Sequence, residues 1–193
     1  LVSATLLRDG ASVVDADHRF GTFPSVTAGW RISEESFFKP ITFFNDLKFR
    51  GGWGKLGSIN NIGATNAYTR YASGAGYSYY AIDGGANSAT QGFYQSQFGN
   101  PATTWEQDII SNVGLDMTIL NNKLSFSFEW YKKKISGLLF RKQSLIANYA
   151  GGATQPIINS GDIQNTGLDI NATYRAKIGS DFHFDVTANL TTY

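Results

Sequence analysis

Cysteine is absent from the chain, which excludes a disulfide framework, thiolate catalysis and any cysteine-ligated metal. Charge is scarce: Asp, Glu, Lys and Arg together are 16% of the residues, against about a quarter in ordinary soluble domains. The two signs nearly cancel, at a net +1, so a polyanion is not the main partner and nucleic acid is not expected. No run approaches the ~18 apolar residues of a membrane-crossing helix. That excludes helical spanning alone, because a strand of a closed barrel crosses with only ~9–11 alternating residues.

What is present is a β-protein's balance, with aromatics at 15% and abundant glycine. The clearest segment follows Asn121-Asn122. Leu124, Phe126, Phe128 and Trp130 fall on one set of alternate positions, and Ser125, Ser127, Glu129 and Tyr131 fall on the other. A period of two gives a strand with one apolar and one polar face, whereas a helix would scatter both sets around its circumference.

Six further segments repeat the pattern, around Val2–Leu6, Thr22–Ile32, Asp46–Gly54, Thr104–Ile119, Leu168–Arg175 and Phe182–Thr191. The strand after Asn122 is read as continuing past Lys132-Lys133-Lys134 to about Phe140, with the lysine run a solvated stretch. Asn121-Asn122 and Ile178–Asp181 mark tight turns. Long irregular stretches fall near Arg8–Phe20, Lys55–Thr103 and Arg141–Gln164, and the second of these is expected to hold a short hairpin near Ala67–Ile82. Between Ser33 and Asn45 lie Phe37, Phe38, Phe43, Phe44 and Pro40, an aromatic connection suited to a core or to a membrane boundary.

Strands of about ten to sixteen residues exceed the ~5–6 usual in globular proteins. Short links after the fourth and sixth strands, and links of about twelve or more after the first, third and fifth, put turns at one end and loops at the other. Outer-membrane barrels have this asymmetry. The expected fold is therefore all-β, an antiparallel transmembrane β-barrel segment of about seven strands with long extracellular loops. The rival is a soluble β-sandwich, a carbohydrate-binding module with aromatic loops, since a half-buried antiparallel sheet also alternates. Starting without Met and stopping inside a strand, the chain reads as an excerpt of a longer one.

Enzymatic constellations are not visible. His18 and His183 are far apart, there is no phosphate-cradling glycine loop after a strand and no nucleophile elbow, and no cofactor is expected. Asp15-Ala-Asp17-His18 lacks the spacing of a calcium loop and reads as solvated, so no metal is expected either. The residues expected to face the lumen are Arg31, Lys48, Arg50, Asp116, Glu129, Asp169, Arg175 and Asp185, available to hydrogen-bond a plug or to line a wet path. The loop tyrosines Tyr68, Tyr71, Tyr77, Tyr79 and Tyr80, with Trp105, are candidates to stack on cargo or pack against a partner.

Several blocks in order carry a family resemblance: Leu6-Leu-Arg-Asp-Gly-Ala-Ser12, Phe20-Gly-Thr-Phe-Pro-Ser-Val-Thr-Ala-Gly-Trp-Arg-Ile-Ser-Glu34, Asn45-Asp-Leu-Lys-Phe-Arg-Gly-Gly-Trp-Gly-Lys-Leu-Gly57, Gly99-Asn-Pro101 with Thr104-Trp-Glu106, Asn112-Val-Gly-Leu-Asp116 and Gly161-Asp-Ile-Gln-Asn-Thr-Gly-Leu-Asp169. Together they resemble the SusC/RagA-type TonB-dependent outer-membrane transporters. The resemblance implies a 22-stranded barrel with an N-terminal plug. It also implies energy from the TonB complex, a SusD-like surface lipoprotein over the external loops, and glycans or oligopeptides as cargo. On that basis residues 1–193 are a partial β-barrel domain from the later wall, with the plug and remaining strands outside this chain.

Overall fold

The computed structural model describes residues 1–85, 88–141, 152–179 and 181–193. In chain order the strands are β1 (Val2–Gly10), β2 (Phe20–Arg31), β3 (Phe44–Ser58), β4 (Arg70–Ala72), β5 (Tyr80–Ala81), β6 (Ala89–Thr90), β7 (Tyr94–Gln97), β8 (Glu106–Ile119), β9 (Leu124–Ser136), β10 (Leu139–Arg141), β11 (Ile157–Asn159), β12 (Asp162–Ile178) and β13 (Phe182–Thr192). Seven of them build one sheet in the order β1-β2-β3-β8-β9-β12-β13, antiparallel throughout. The other six form two-stranded ladders inside the loops.

Register carries each alternation into the next. Met117 pairs with Phe126, which pairs with Ala172, while Asp116 pairs with Ser127 and Asn171 lies opposite Ser127 on the other side. Seven strands therefore share one apolar face and one polar face. Among the described residues nothing covers the apolar face: Trp30, Phe49, Val186 and Leu190 are 49%, 45%, 58% and 57% exposed. A sandwich would bury these side chains against a second sheet, so the soluble-module reading fails, and the face is one made for lipid.

The buried apolar residues sit instead at the loop end. Val14, Ile62 and Leu139 form a small core with Ala11, Val13, Ile59 and Ile157 packed on it. Pro24 helps to shape this end. Lacking an N–H, it stands opposite Leu6 in the β1–β2 ladder, and the β2–β3 ladder starts only at Ser25↔Gly54. Beyond it the Phe23 ring lies on Gly21 and Gly57, where any Cβ would collide with it.

The turn between β8 and β9 takes Leu120, Asn121 and Asn122 through φ of 56°, 54° and 66°, the left-handed region that asparagine tolerates best. It is tied to the neighbouring connection by the Asn122 N–H donating to Asn45 Oδ1 at 3.1 Å.

Several expectations are revised. The β1–β2 loop, 11–19, is shorter than twelve residues. The connection 32–43 between β2 and β3 is long, as expected, although it lies at the turn end. That connection is held by its rings: Trp30 meets Phe37 at 6.4 Å, Phe43 meets Phe44 at 5.0 Å, and Trp30 Nε1 donates to Glu35 Oε1 at 3.0 Å. The expected hairpin near Ala67–Ile82 is wider, with β4 closing on β7 and β5 on β6. β9 ends at Ser136 and not near Phe140; beyond Gly137, at φ 66°, the end of the expected strand forms β10 and pairs with β11 from the expected loop. Gly151 and the nearby residues of that loop lie outside the described residues.

Candidate lumen face and external loop platform

All eight charged residues expected at the lumen lie on the polar face. Two adjacent rows cross the sheet there. One carries Arg31, Lys48, Asp116, Ser127, Asn171 and Asn189, and the other carries Gly29, Arg50, Gly114, Glu129, Asp169 and Thr191. Arg175 and Asp185 pair nearer the turn end.

Arg50 is the hub. Its Nε lies 3.1 Å from Asp116 Oδ2 and its Nη1 pairs with Glu129. The guanidinium rests on Gly114, where a Cβ would stand 2.8 Å from Cζ, so a side chain at 114 would lift the arginine off its two carboxylates. Asn112 Nδ2 donates to Glu129 Oε1 and Ser127 Oγ donates to Asp116 Oδ1, both at 2.8 Å, holding the acids in place. Arg31 is similarly fixed, with Nε 2.8 Å from Asp46 Oδ1, which also accepts from Ser33 Oγ.

Arg175 Nη1 donates to Ser125 Oγ at 2.8 Å and its Nε lies 3.7 Å from Asp185. Lys48 and Asp169 have no ion pair among the described residues. Lys48 lines a groove of about 650 Å³ with Thr27, Gly29, Arg31, Asp46, Arg50, Gly52 and Asn112. Such a wall offers donors and acceptors in fixed positions. Among the described residues no group of three or more His, Asp or Glu is placed to hold a metal.

Removing Arg50 tests the hub. Arg50→Leu leaves Asp116 and Glu129 facing one another without a cation, and the cost expected in the assembled barrel is about 1–2 kcal/mol, discounted from a buried pair because the guanidinium is part-exposed. Urea unfolding in lipid, alongside the charge-preserving Arg50→Lys, reads it. Equal midpoints for the Arg50→Leu variant and wild type would mean that the triad contributes nothing.

The loops form a second assembly. Asn66, only 5% exposed, bridges the stretches 59–105 and 152–161. Its Nδ2 donates to Thr103 Oγ1 at 2.9 Å and to the Ile157 carbonyl at 3.0 Å, while its Oδ1 accepts the Ile157 N–H at 2.7 Å. Asn159 adds a second tie, accepting the Thr104 N–H at 2.8 Å and donating to the Thr104 and Gly137 carbonyls. Farther out, the Ser88 hydroxyl and the Gly85 N–H hold the Asp83 carboxyl below the usual carboxylate range.

Tyr68, Tyr71, Tyr77, Tyr79 and Tyr80 are exposed on this platform, and Tyr77 lies 5.6 Å from Tyr94. Trp105 is placed otherwise. It is 6% exposed, edge-on to Phe23 at 5.4 Å, with Nε1 donating to the His18 carbonyl at 3.2 Å. Its ring therefore anchors the loop base and is not offered to cargo or partner. Sequence reasoning missed Asn66, Thr103 and Asn159, because polar residues in a Gly/Asn-rich loop carry no period that points to a partner far along the chain.

An uncovered apolar face, an ion-paired polar face and loops gathered at one end define the wall of an outer-membrane β-barrel. The chain belongs to the TonB-dependent receptor family, whose barrel, described as "TonB dependent receptor-like, beta-barrel", matches residues 6–193. The TonB-dependent receptor SusC of Bacteroides thetaiotaomicron is 32% identical over 99% of this chain and 18% of its own length. TonB-dependent receptor P39 of Formosa agariphila is 29% identical over 99% of this chain and 17% of its own. The chain thus spans less than a fifth of the curated relatives it matches. The RagAB peptide importer in its open-open state shares the fold at a TM-score of 0.80, with 23% identity over 98% of this chain and 19% of that one. Its closed-closed state gives 0.75 at 22% identity, over 99% and 20%. Members of the family are outer-membrane receptors and transporters, not enzymes.

Proposed function

We propose that this chain supplies wall and external loops to a TonB-dependent importer of oligosaccharides or peptides, working beneath a SusD-like surface lipoprotein. The observation that carries the reading is the joining of two long loops, through Asn66 and Asn159, into one tyrosine-bearing platform above a polar wall. A platform of exposed, amphipathic rings suits contact with sugar faces or with a protein lying over it. The lumen rows supply a hydrated surface for a plug or for passing cargo. Contact with the TonB complex belongs to parts of the receptor outside these residues. The SusC relative and the RagAB peptide importer support the reading, the one through sequence and the other through fold.

The test uses the full-length receptor in its own cells. Replacing Tyr71, Tyr77 and Tyr80 by alanine should leave the receptor in the outer membrane and reduce uptake of labelled oligosaccharide or oligopeptide about tenfold or more, each ring contributing ~0.5–1.5 kcal/mol. A surface lipoprotein should co-purify with wild type and less with the variant. Unchanged uptake of both cargo classes after deletion of the receptor would overturn the proposal.

A further inference from the structure

Charge on the main sheet is sorted by face. Toward the polar side the strands send acids and bases together, Asp46, Arg50, Asp116 and Glu129 among them. Toward the apolar side the register sends four cations, Arg8, Lys55, Lys132 and Lys134, and a single anion, Asp162. All five lie at the loop end of their strands, and the turn end of that face carries no charge in any of the seven strands. The lysine run is thus divided by the pleat: Lys133 turns inward to Asp108 at 3.6 Å, while Lys132 and Lys134 turn outward.

The three lysines occupy two neighbouring outward rows, Lys132 in one and Lys55 with Lys134 in the next. Trp53 is the outward position before Lys55 and Trp130 the one before Lys132, and both rings are exposed on the apolar face. Tryptophans at that height mark the boundary between hydrocarbon and head groups, so the lysines reach into the head-group layer on the external side. Lys55 and Lys134 flank Ile109 in one row of the sheet, two strand spacings or about 10 Å apart, and Lys132 lies about 7 Å along β9 from Lys134. Lys134 is ion-paired within the chain, at 2.8 Å from Asp162. Lys55 and Lys132 have no ion pair among the described residues, and the Arg8 guanidinium sits over the Phe20 ring at 5.1 Å.

From this placement we propose that Lys55, Lys132 and Lys134, with Arg8 at the flank, seat the phosphate groups of a phosphorylated glycolipid of the outer leaflet. The argument is charge complementarity: a cluster of four cations to one anion, restricted to the outer head-group level of a lipid-facing wall, matches a layer of fixed phosphates. A cluster facing water alone would have no reason to hold one acid against four cations on this face while acids and bases mix on the other. The proposal rests on the outer-membrane reading of the fold.

The experiment takes the full-length receptor in detergent and measures bound lipid by native mass spectrometry, with folding read separately from the heat-dependent shift of the barrel on gels. The probes are bisphosphorylated lipid A, the same glycolipid with its phosphates removed, and phosphatidylethanolamine. Wild type should retain the phosphorylated form selectively and lose it as salt is raised. Lys55→Gln with Lys132→Gln should weaken retention about twenty-five-fold, at about fivefold per lysine. Lys177→Gln, inward and at the turn end, should bind like wild type. Equal binding of the dephosphorylated glycolipid to wild type, or undiminished binding by a folded double variant, would overturn the proposal. Failure of every variant to show the heat-dependent shift would point instead at the barrel reading, and the wild-type comparison of the two glycolipids would still decide the phosphate seat.

Discussion

Phe126→Arg is expected to cost the assembled barrel ~2–4 kcal/mol, and to be the most damaging single change on the outward face. Phe126 stands between Met117 and Ala172 near the middle of the sheet, with apolar neighbours on both flanking strands. An arginine there has no aqueous layer close by, in contrast to position 132, where the head-group level begins. Phe184→Arg, paired with Ala176 close to the β12–β13 turn, should have a smaller cost of the same sign. Reversible urea unfolding of the full-length receptor in vesicles would read the difference, and the fraction of heat-shifted barrel in cell envelopes would show the assembly defect. Wild-type stability and normal insertion of both variants would remove the lipid-facing assignment.

Asn66→Leu is the second large expectation. The side chain is buried and satisfies the Ile157 N–H and carbonyl at once, with Thr103 as a third partner. An isosteric apolar replacement leaves the Ile157 amide buried without an acceptor, worth ~1–3 kcal/mol for that group alone. Because this residue joins two loops, the loss should appear as local opening, with amide protection falling roughly tenfold to a hundredfold in both 59–105 and 152–161 while the β8–β9 ladder stays protected. Hydrogen exchange on the intact receptor measures both regions together. Opening confined to one loop would show that the Asn159 ties suffice to hold the pair.

The wall was legible in the sequence because its two faces obey a local rule. Each of the charged residues from Arg31 to Asp185 could be put on the polar face by counting in twos from a neighbouring apolar residue, and register then transmits that face between strands. In the sequence the lysine run reads as one solvated stretch, yet the pleat sends Lys132 and Lys134 to one side and Lys133 to the other. The loop end obeys no such rule. Trp105 looks like any exposed loop aromatic until Phe23, freed beyond Pro24, is seen to meet it. Asn66 gains its role only from Ile157, far along the chain. Strand ends were misjudged for a related reason: β3 runs on to Ser58 because β8 supplies partners as far as Glu106, which neither segment announces by itself.

The order of the strands also governs how such a wall comes together. Each strand of the main sheet lies beside the one nearest to it in the chain, so pairing can advance by zipping outward from the short turn at Leu120–Lys123. Joining β3 to β8 instead requires the whole stretch 59–105 to be looped back, an entropic cost about 2 kcal/mol above that of the short turn. The β8–β9 hairpin is therefore the natural nucleus for the growing sheet, and docking of β3 upon it is the slow step that the long external insertion imposes.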